Sequence, residues 1–192
     1  MDKKITIIKK LTDFKWINLF NVKYTNAKGN LVDWVFASRK KDPLDYDGVD
    51  AVVIVPLIDT PEGRKVVIIK EYRVAISGYE YGFPAGLVED GFSVEETARK
   101  ELREETGFVI RDLISRTNKI YTSPGLSDES CVIVFAEVVG NFSTDYQEAT
   151  EDIESMLMGV EEVRDLLDDP DKKIGSKAWG VLYYYSQIGE IK

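Results

Sequence analysis

Apolar positions change period along this chain, and those changes divide it into elements. Trp16, Leu19, Phe20, Val22 and Tyr24, then Val32, Trp34 and Phe36, flank a turn through Asn26 to Asn30. This pattern predicts a β-hairpin over residues 14–24 and 32–38. Continuous apolar runs at 51–58 and 65–72 predict two buried strands across the turn Asp59-Thr60-Pro61-Glu62-Gly63. A short strand leads through Tyr79 and Tyr81 into Phe83. The period then lengthens: Val94, Ala98 and Leu102 form one helical stripe. Ser93 with Glu96 reads as a capping box and Gly107 as a stop, so residues 93–106 are predicted helical. Strands are expected at 109–121 and 130–138 around a loop at 122–128, followed by a polar loop at 139–151 and a strand at 153–158. A helix at 161–167 ends at Asp168-Asp169-Pro170, and Ser176 opens a last helix to about Ile188. Strands and helices mix without a regular βαβ alternation, so the expected class is α+β. The charged stretch from Arg39 to Pro43, with Asp45 to Gly48 behind it, reads as a boundary. It separates a β-rich segment, 1–47, from a main domain, 48–192.

Composition narrows the function classes. The chain has 192 residues, 44% hydrophobic and 31% charged, which suits one soluble domain with an appendage. A net charge of -9 argues against binding nucleic acid through its backbone. Met1-Asp2-Lys3-Lys4 lacks the apolar run of a signal peptide, and no stretch approaches transmembrane length, so no membrane association and a cytoplasmic location are expected. Cys131 lies in the apolar run 131–135 and reads as a buried strand residue. The chain contains no histidine, which removes Ser-His-Asp and Cys-His nucleophilic chemistry and His-ligated zinc. Catalysis would rest on carboxylates, Lys, Tyr, the lone Cys or a bound cation.

The helix at 93–106 carries the candidate chemistry. Glu101 and Glu105 lie one turn apart with Glu104 beside them. Carboxylates crowded on one strip repel each other unless a hard cation sits among them, and Mg²⁺, or Mn²⁺ in its place, takes oxygen ligands. The alternative is a solvated acidic face. The preceding Phe83-Pro84-Ala85-Gly86 strand end and the glycine loop at 86–91 favour a site.

These residues also carry a family likeness. Segment 86–108 resembles the box of the Nudix hydrolases, Gly-x5-Glu-x7-Arg-Glu-U-x-Glu-Glu-x-Gly-U, where U is a bulky aliphatic residue. Gly86, Glu101, Leu102, Glu104, Glu105, Gly107 and Phe108 match it, the last with an aromatic residue. Phe83-Pro84-Ala85-Gly86 and Tyr121-Thr122-Ser123-Pro124-Gly125 are similar to the ADP-ribose pyrophosphatase branch, in which a proline stands sixteen residues beyond the box, as Pro124 stands beyond Phe108. Three positions depart from the pattern. Phe92 stands in place of glutamate and Lys100 in place of arginine, two residues thought to pair in the family. Packing of Phe92 is expected to replace that pair, with Lys100 turned to solvent or toward Glu104. Gly82 stands where the branch carries a glutamate, and Glu80, on the same strand face, is a candidate substitute.

The resemblance implies an α/β/α sandwich and an N-terminal hairpin that dimerises by swapping strands. It implies Mg²⁺-dependent hydrolysis of a nucleoside diphosphate sugar, with ADP-ribose giving AMP and ribose 5-phosphate. Glu101, Glu105 and the Ala85 carbonyl would hold the metal, and Glu104 would serve a further ion or an outer position. Trp16 and Trp34 would sandwich adenine, against the alternative that they are core or interface residues. Arg73 would hold the phosphates or terminal ribose, Arg39 would reach the diphosphate from the dimer arm, and Pro124 and Glu129 would border the substrate. The general base would come from the late acidic loop, with Glu151 first and Glu148 second. Rival readings are action on another nucleotide sugar such as GDP-mannose, a non-catalytic nucleotide-binding domain, and a purely structural dimer module.

Overall fold

The structure is a computed structural model that describes residues 4–43, 48–147 and 152–191. In chain order it contains β1 (Ile5–Lys10), β2 (Asn18–Thr25), β3 (Leu31–Ser38), β4 (Ala51–Thr60), β5 (Gly63–Arg73), β6 (Gly78–Gly82), β7 (Ala85–Leu87), α1 (Val94–Thr106), β8 (Val109–Arg116), β9 (Ile120–Tyr121), β10 (Ser130–Val139), β11 (Ile153–Met158), α2 (Val160–Asp168), β12 (Lys173–Ile174) and α3 (Ser176–Ile188). A 3-10 turn at Val74–Ile76 joins β5 to β6. The chain divides into two compact units: residues 1–50 with 119–131, and residues 51–118 with 132–192.

The first unit is built on a three-stranded antiparallel sheet in the order β1-β2-β3. The expected hairpin is present as β2 and β3, with Val22 opposite Trp34 and Phe20 opposite Phe36. The turn closes where Asn26 Oδ1 accepts from the backbone N–H groups of Lys28 and Asn30, an Asx arrangement that competes with strand pairing. β1 is a third strand with no counterpart in the sequence reading, because Lys9 and Lys10 follow Ile7 and Ile8 without clean alternation. Segment 119–131 is tied to the end of β3: Ala37 N–H donates to the Leu126 carbonyl at 2.9 Å, and Lys119 Nζ donates to the Gly48 carbonyl at 3.1 Å. β9 pairs with Ser130 and Cys131.

A largely buried ionic cluster closes this unit. Lys40 Nζ lies 3.2 Å from both Asp50 Oδ2 and Asp128 Oδ2. Ser38 Oγ donates to Asp128, while the backbone N–H and hydroxyl of Ser130 donate to Asp50. Each carboxylate therefore receives both an ammonium and neutral donors, which the low-dielectric interior demands of a buried charge.

The second unit is a mixed sheet with three helices. Its strand order is β12-β6-β5-β4-β10-β8, with β11 on the free part of β5 and β7 on β4; the β12–β6 pair is parallel, and β5 runs antiparallel to β4, β6 and β11. Continuous burial of Val52 to Leu57 and Val66 to Ile69 explains why these strands read as unbroken apolar runs: both faces are covered. The strand expected over 109–121 ends at Arg116: Thr117 N–H still donates to the Ile133 carbonyl, but the Ile133 N–H donates back to Thr117 Oγ1 instead of continuing the backbone ladder. α1 packs on β4, β7, β8 and β11, while α2 packs on α3.

Candidate active site

Local sequence rules position α1 in detail. Ser93 caps the helix, accepting from Glu96 N–H, while the Glu96 carboxylate accepts from the Ser93 N–H and hydroxyl. Gly107 ends it at φ 84°, a conformation that disfavours any side chain. A Cβ at Gly107 would also lie 2.5 Å from Ser143 N, so this glycine permits a close approach as well as the turn. Ala98 and Leu102 are fully buried, which leaves the carboxylates of the next turn at the edge of the packed face.

β7 comes against that edge. Val52 and Val53 of β4 pair with Gly86 and Ala85, which fixes the height of β7 beside α1. Gly86 is required there: a Cβ would overlap the Glu101 carboxylate, with Oε1 at 2.5 Å. Glu105, only 4% exposed, accepts from Ala85 N–H through Oε2 at 3.2 Å. Ala85 and Gly86 therefore meet the two carboxylates that are one helical turn apart.

Lys100 completes the strip. Its ammonium lies 3.3 Å from Glu101 Oε1 and 3.2 Å from Glu104 Oε2. Partial burial works against the lysine charge, but hydrogen bonding and attraction from Glu104 and Glu101 outweigh it and hold the pKa above the usual lysine value. Among the described residues, no three His, Cys, Asp or Glu side chains gather closely enough to hold a metal ion. The donor chemistry nevertheless fits a hard divalent cation. Three carboxylates and the Ala85 carbonyl supply oxygen alone, and two of the carboxylates already converge on one cationic group, the Lys100 ammonium.

Contacts that sequence reasoning missed anchor the far end of α1. The Glu105 carbonyl accepts from Gln147 Nε2 at 3.2 Å and from Ser155 Oγ at 2.9 Å. Arg103 donates to the Tyr146 hydroxyl at 2.9 Å, with its guanidinium 4.3 Å from the ring centroid. Asp152 is held by Tyr72 N–H through its carbonyl and by the Tyr79 hydroxyl through its carboxylate. Thus Gln147 and Asp152, the described residues on either side of 148–151, are both fixed. Glu148 and Glu151 themselves lie outside the described residues. No sequence signal marks Gln147 or Ser155, since their partner is a backbone carbonyl from another element.

The other expected site residues fall as follows. In the second unit Arg73 pairs with Glu71 at 2.7 Å and with Glu80 at 3.3 Å, so Glu80 is engaged by arginine. Gly82 has no heavy atom within 4 Å of a would-be Cβ. Phe92 is 49% exposed, so its packing does not replace the missing ion pair; Lys100 has instead turned onto Glu101 as well as Glu104. In the first unit Trp16 is 69% exposed and Trp34 also stands open, which excludes a core role within the chain. Arg39 Nε lies 3.6 Å from Glu129 Oε1, and Thr122 Oγ1 donates to Glu129 Oε2. Pro124 is exposed in the adjoining loop, where Ser123 O accepts from Leu126 and Ser127 N–H.

Residues 49–178 match the model of the NUDIX domain, a span that covers most of the chain and holds the whole glycine–carboxylate constellation. The chain belongs to the Nudix family. Among relatives of this Nudix chain, the ADP compounds hydrolase of Escherichia coli is 35% identical over 122 residues, covering 64% of this chain and 62% of that protein. An uncharacterized Nudix hydrolase of Schizosaccharomyces pombe is 33% identical over 127 residues, 66% of this chain and 60% of the relative. The ADP-ribose pyrophosphatase of Bacillus subtilis is 30% identical over 148 residues, 76% of each. Two of these three matches thus span about three-fifths of the relative's length. A crystal structure of an ADP compounds hydrolase shares the fold with a TM-score of 0.73 at 23% identity, covering 97% of this chain and 96% of that one.

Proposed function

We propose that this chain is a divalent-cation-dependent pyrophosphohydrolase acting on a nucleoside diphosphate linked to a second group. ADP-ribose is the substrate the reading favours, yielding AMP and ribose 5-phosphate. The observation that carries the reading is the convergence of the α1 carboxylates on Ala85 and Gly86, with Glu101 against the Gly86 Cα and Glu105 on the Ala85 N–H. The likeness to proteins named ADP-ribose pyrophosphatase and ADP compounds hydrolase supports the substrate class.

In this reading Glu101, Glu105 and the Ala85 carbonyl hold Mg²⁺ or Mn²⁺, and Glu104 serves a further ion or an outer position. The bound cation would neutralise the phosphoryl oxygens and lower the pKa of attacking water. The acidic strip by itself repels a diphosphate. Arg73 offers a planar fork to the phosphates once its longer contact, to Glu80, is exchanged. Glu151, with Glu148 as second choice, takes a proton from the water as its oxygen bonds to phosphorus and the bridging P–O bond breaks. Gln147 and Asp152, the described residues that flank 148–151 in the chain, are each held by hydrogen bonds.

The first unit has the chemistry of a dimer arm. Exposed Ile7, Leu11, Phe14, Ile17 and Leu19 accompany Trp16 and Trp34 on its strands and turns. A homodimer with swapped N-terminal strands would cover this apolar surface and bring tryptophans to an adenine, each stacked base being worth about 1–3 kcal/mol. Arg39, Glu129 and Pro124 then border the substrate.

A panel of nucleoside diphosphate derivatives incubated with Mg²⁺ and assayed for released monophosphate tests the reading. Release of AMP from ADP-ribose above the rest is expected; faster turnover of GDP-mannose would change the base and sugar. The ammonium of Lys100 between two carboxylates is the observation that favours a non-catalytic nucleotide-binding domain. Retained nucleotide binding with no turnover of any substrate would establish that alternative.

A further inference from the structure

Lys100 occupies the position of a cation. Its Nζ is within 3.3 Å of Glu101 and 3.2 Å of Glu104, two carboxylates that an ion bound by this helix would also engage. One ammonium offsets one of the two negative charges, and its contacts to Glu101 Oε1 and Glu104 Oε2 take lone pairs that a metal would otherwise use. The lysine is adjacent to Glu101 in the chain and one helical turn from Glu104, so it returns to them without diffusion, at an effective concentration on the order of millimolar.

There is also room for it to leave. Lys100 lines a cavity of about 520 Å³ together with Arg99, Arg103, Glu104 and Tyr146. Arg99 in that cavity is held by Glu95 and by the Ile110 carbonyl, and Arg103 by Tyr146, so both guanidinium charges already have partners.

We propose that Lys100 is a tethered counter-cation for Glu101 and Glu104, displaced when a divalent ion binds, and that it thereby sets the metal affinity of this chain. The inference rests on the assignment of these carboxylates to the metal. In the ion-free protein the ammonium holds the strip together; in the loaded protein it gives up both oxygens. Affinity is then lower than the same carboxylates would give without it.

Mn²⁺ binding, read by calorimetry and by the electron paramagnetic resonance of the free ion, tests this on the full chain. Lys100→Met and Lys100→Gln are expected to bind Mn²⁺ on the order of five-fold or more tightly than the wild type, the lower end of ordinary coupling between two sites. Lys100→Arg, which keeps the charge, should stay near the wild type. In chelator the Met and Gln variants should melt slightly below the wild type, and saturating Mn²⁺ should raise their melting temperature by the larger increment. Equal or weaker Mn²⁺ binding by both variants, with native circular dichroism, would overturn the proposal while leaving the metal assignment standing. Absence of Mn²⁺ binding in wild type and variants alike would overturn both.

Discussion

Lys40 in the first unit and Lys100 in the second each stand between two carboxylates at nearly the same distances, yet the surroundings give them different work. Lys40 meets Asp50 and Asp128 with its side chain 11% exposed, and both acids accept further bonds from Ser38 and Ser130. Lys100 meets Glu101 and Glu104 with its side chain 39% exposed, on the rim of an open cavity. A largely buried bridge whose acids also accept from serine donors cannot exchange its cation without stranding charge. A half-open bridge between helical neighbours can exchange it. Distance alone does not separate structural ion pairs from exchangeable ones; burial and the remaining donors do.

The largest effect expected from this contrast is on stability. Lys40→Met leaves two shielded carboxylates facing each other and should destabilise the chain by about 3–5 kcal/mol, whereas Lys100→Met without metal should cost less than about 1 kcal/mol. Urea unfolding of both variants measures the difference, and equal losses would erase the distinction. On the open side, Glu105→Gln should lower turnover on the order of a hundred-fold, the scale of removing one preorganised electrostatic group, with an unchanged circular dichroism spectrum. An unchanged rate would remove Glu105 from the site.

Gly86→Ala is a gentler probe of the same side. Its methyl group overlaps the Glu101 carboxylate, so Mn²⁺ binding should weaken on the order of ten-fold, as when an outer-shell support of a metal ligand is lost. Gly82→Ala, where a Cβ meets open space, is the control that should bind as the wild type does. Ser93→Ala should cost about 1 kcal/mol of stability through the lost N-cap, with little effect on metal affinity. The smallest effect is a pH dependence. Hydrogen bonds from the Ser93 backbone and hydroxyl hold the Glu96 carboxyl below its usual pKa. Its contribution is therefore present above the unfolded-state value and lost as pH falls through the lower folded-state value. Melting curves of Glu96→Gln and wild type should differ at neutral pH and converge in acid; a constant gap would contradict the capping assignment.

Much of the fold was legible because it rests on neighbours in the chain. Ser93, Glu96 and Gly107 bounded α1 to within a residue, and the Asn26–Asn30 turn announced the β2–β3 hairpin. β1 was not legible, since its apolar residues run together and its partner strand supplies the order. The break after Arg116 was hidden because apolar and polar residues continue through it, and a side-chain bond, Ile133 N–H to Thr117 Oγ1, takes the place of the next ladder bond. Within the candidate site the carboxylate spacing could be read directly. The expected packing of Phe92 failed because hydrophobicity does not say whether a loop residue has anything to pack against.

The sequence by itself determined a capped helix bearing Glu101, Glu104 and Glu105 at fixed angular spacing, and a glycine run before it. Those properties follow from the 3.6-residue period and from terminal hydrogen bonds, which need no distant partner. Tertiary structure alone decided that Gly86 abuts Glu101, because that approach depends on the register of β7 against β4. It also decided that Lys40 meets Asp128 from 88 residues away, while Lys100 stays at a cavity rim. Burial and long-range register are properties of the packed chain, and they decide which of two similar lysines can be exchanged for a metal ion.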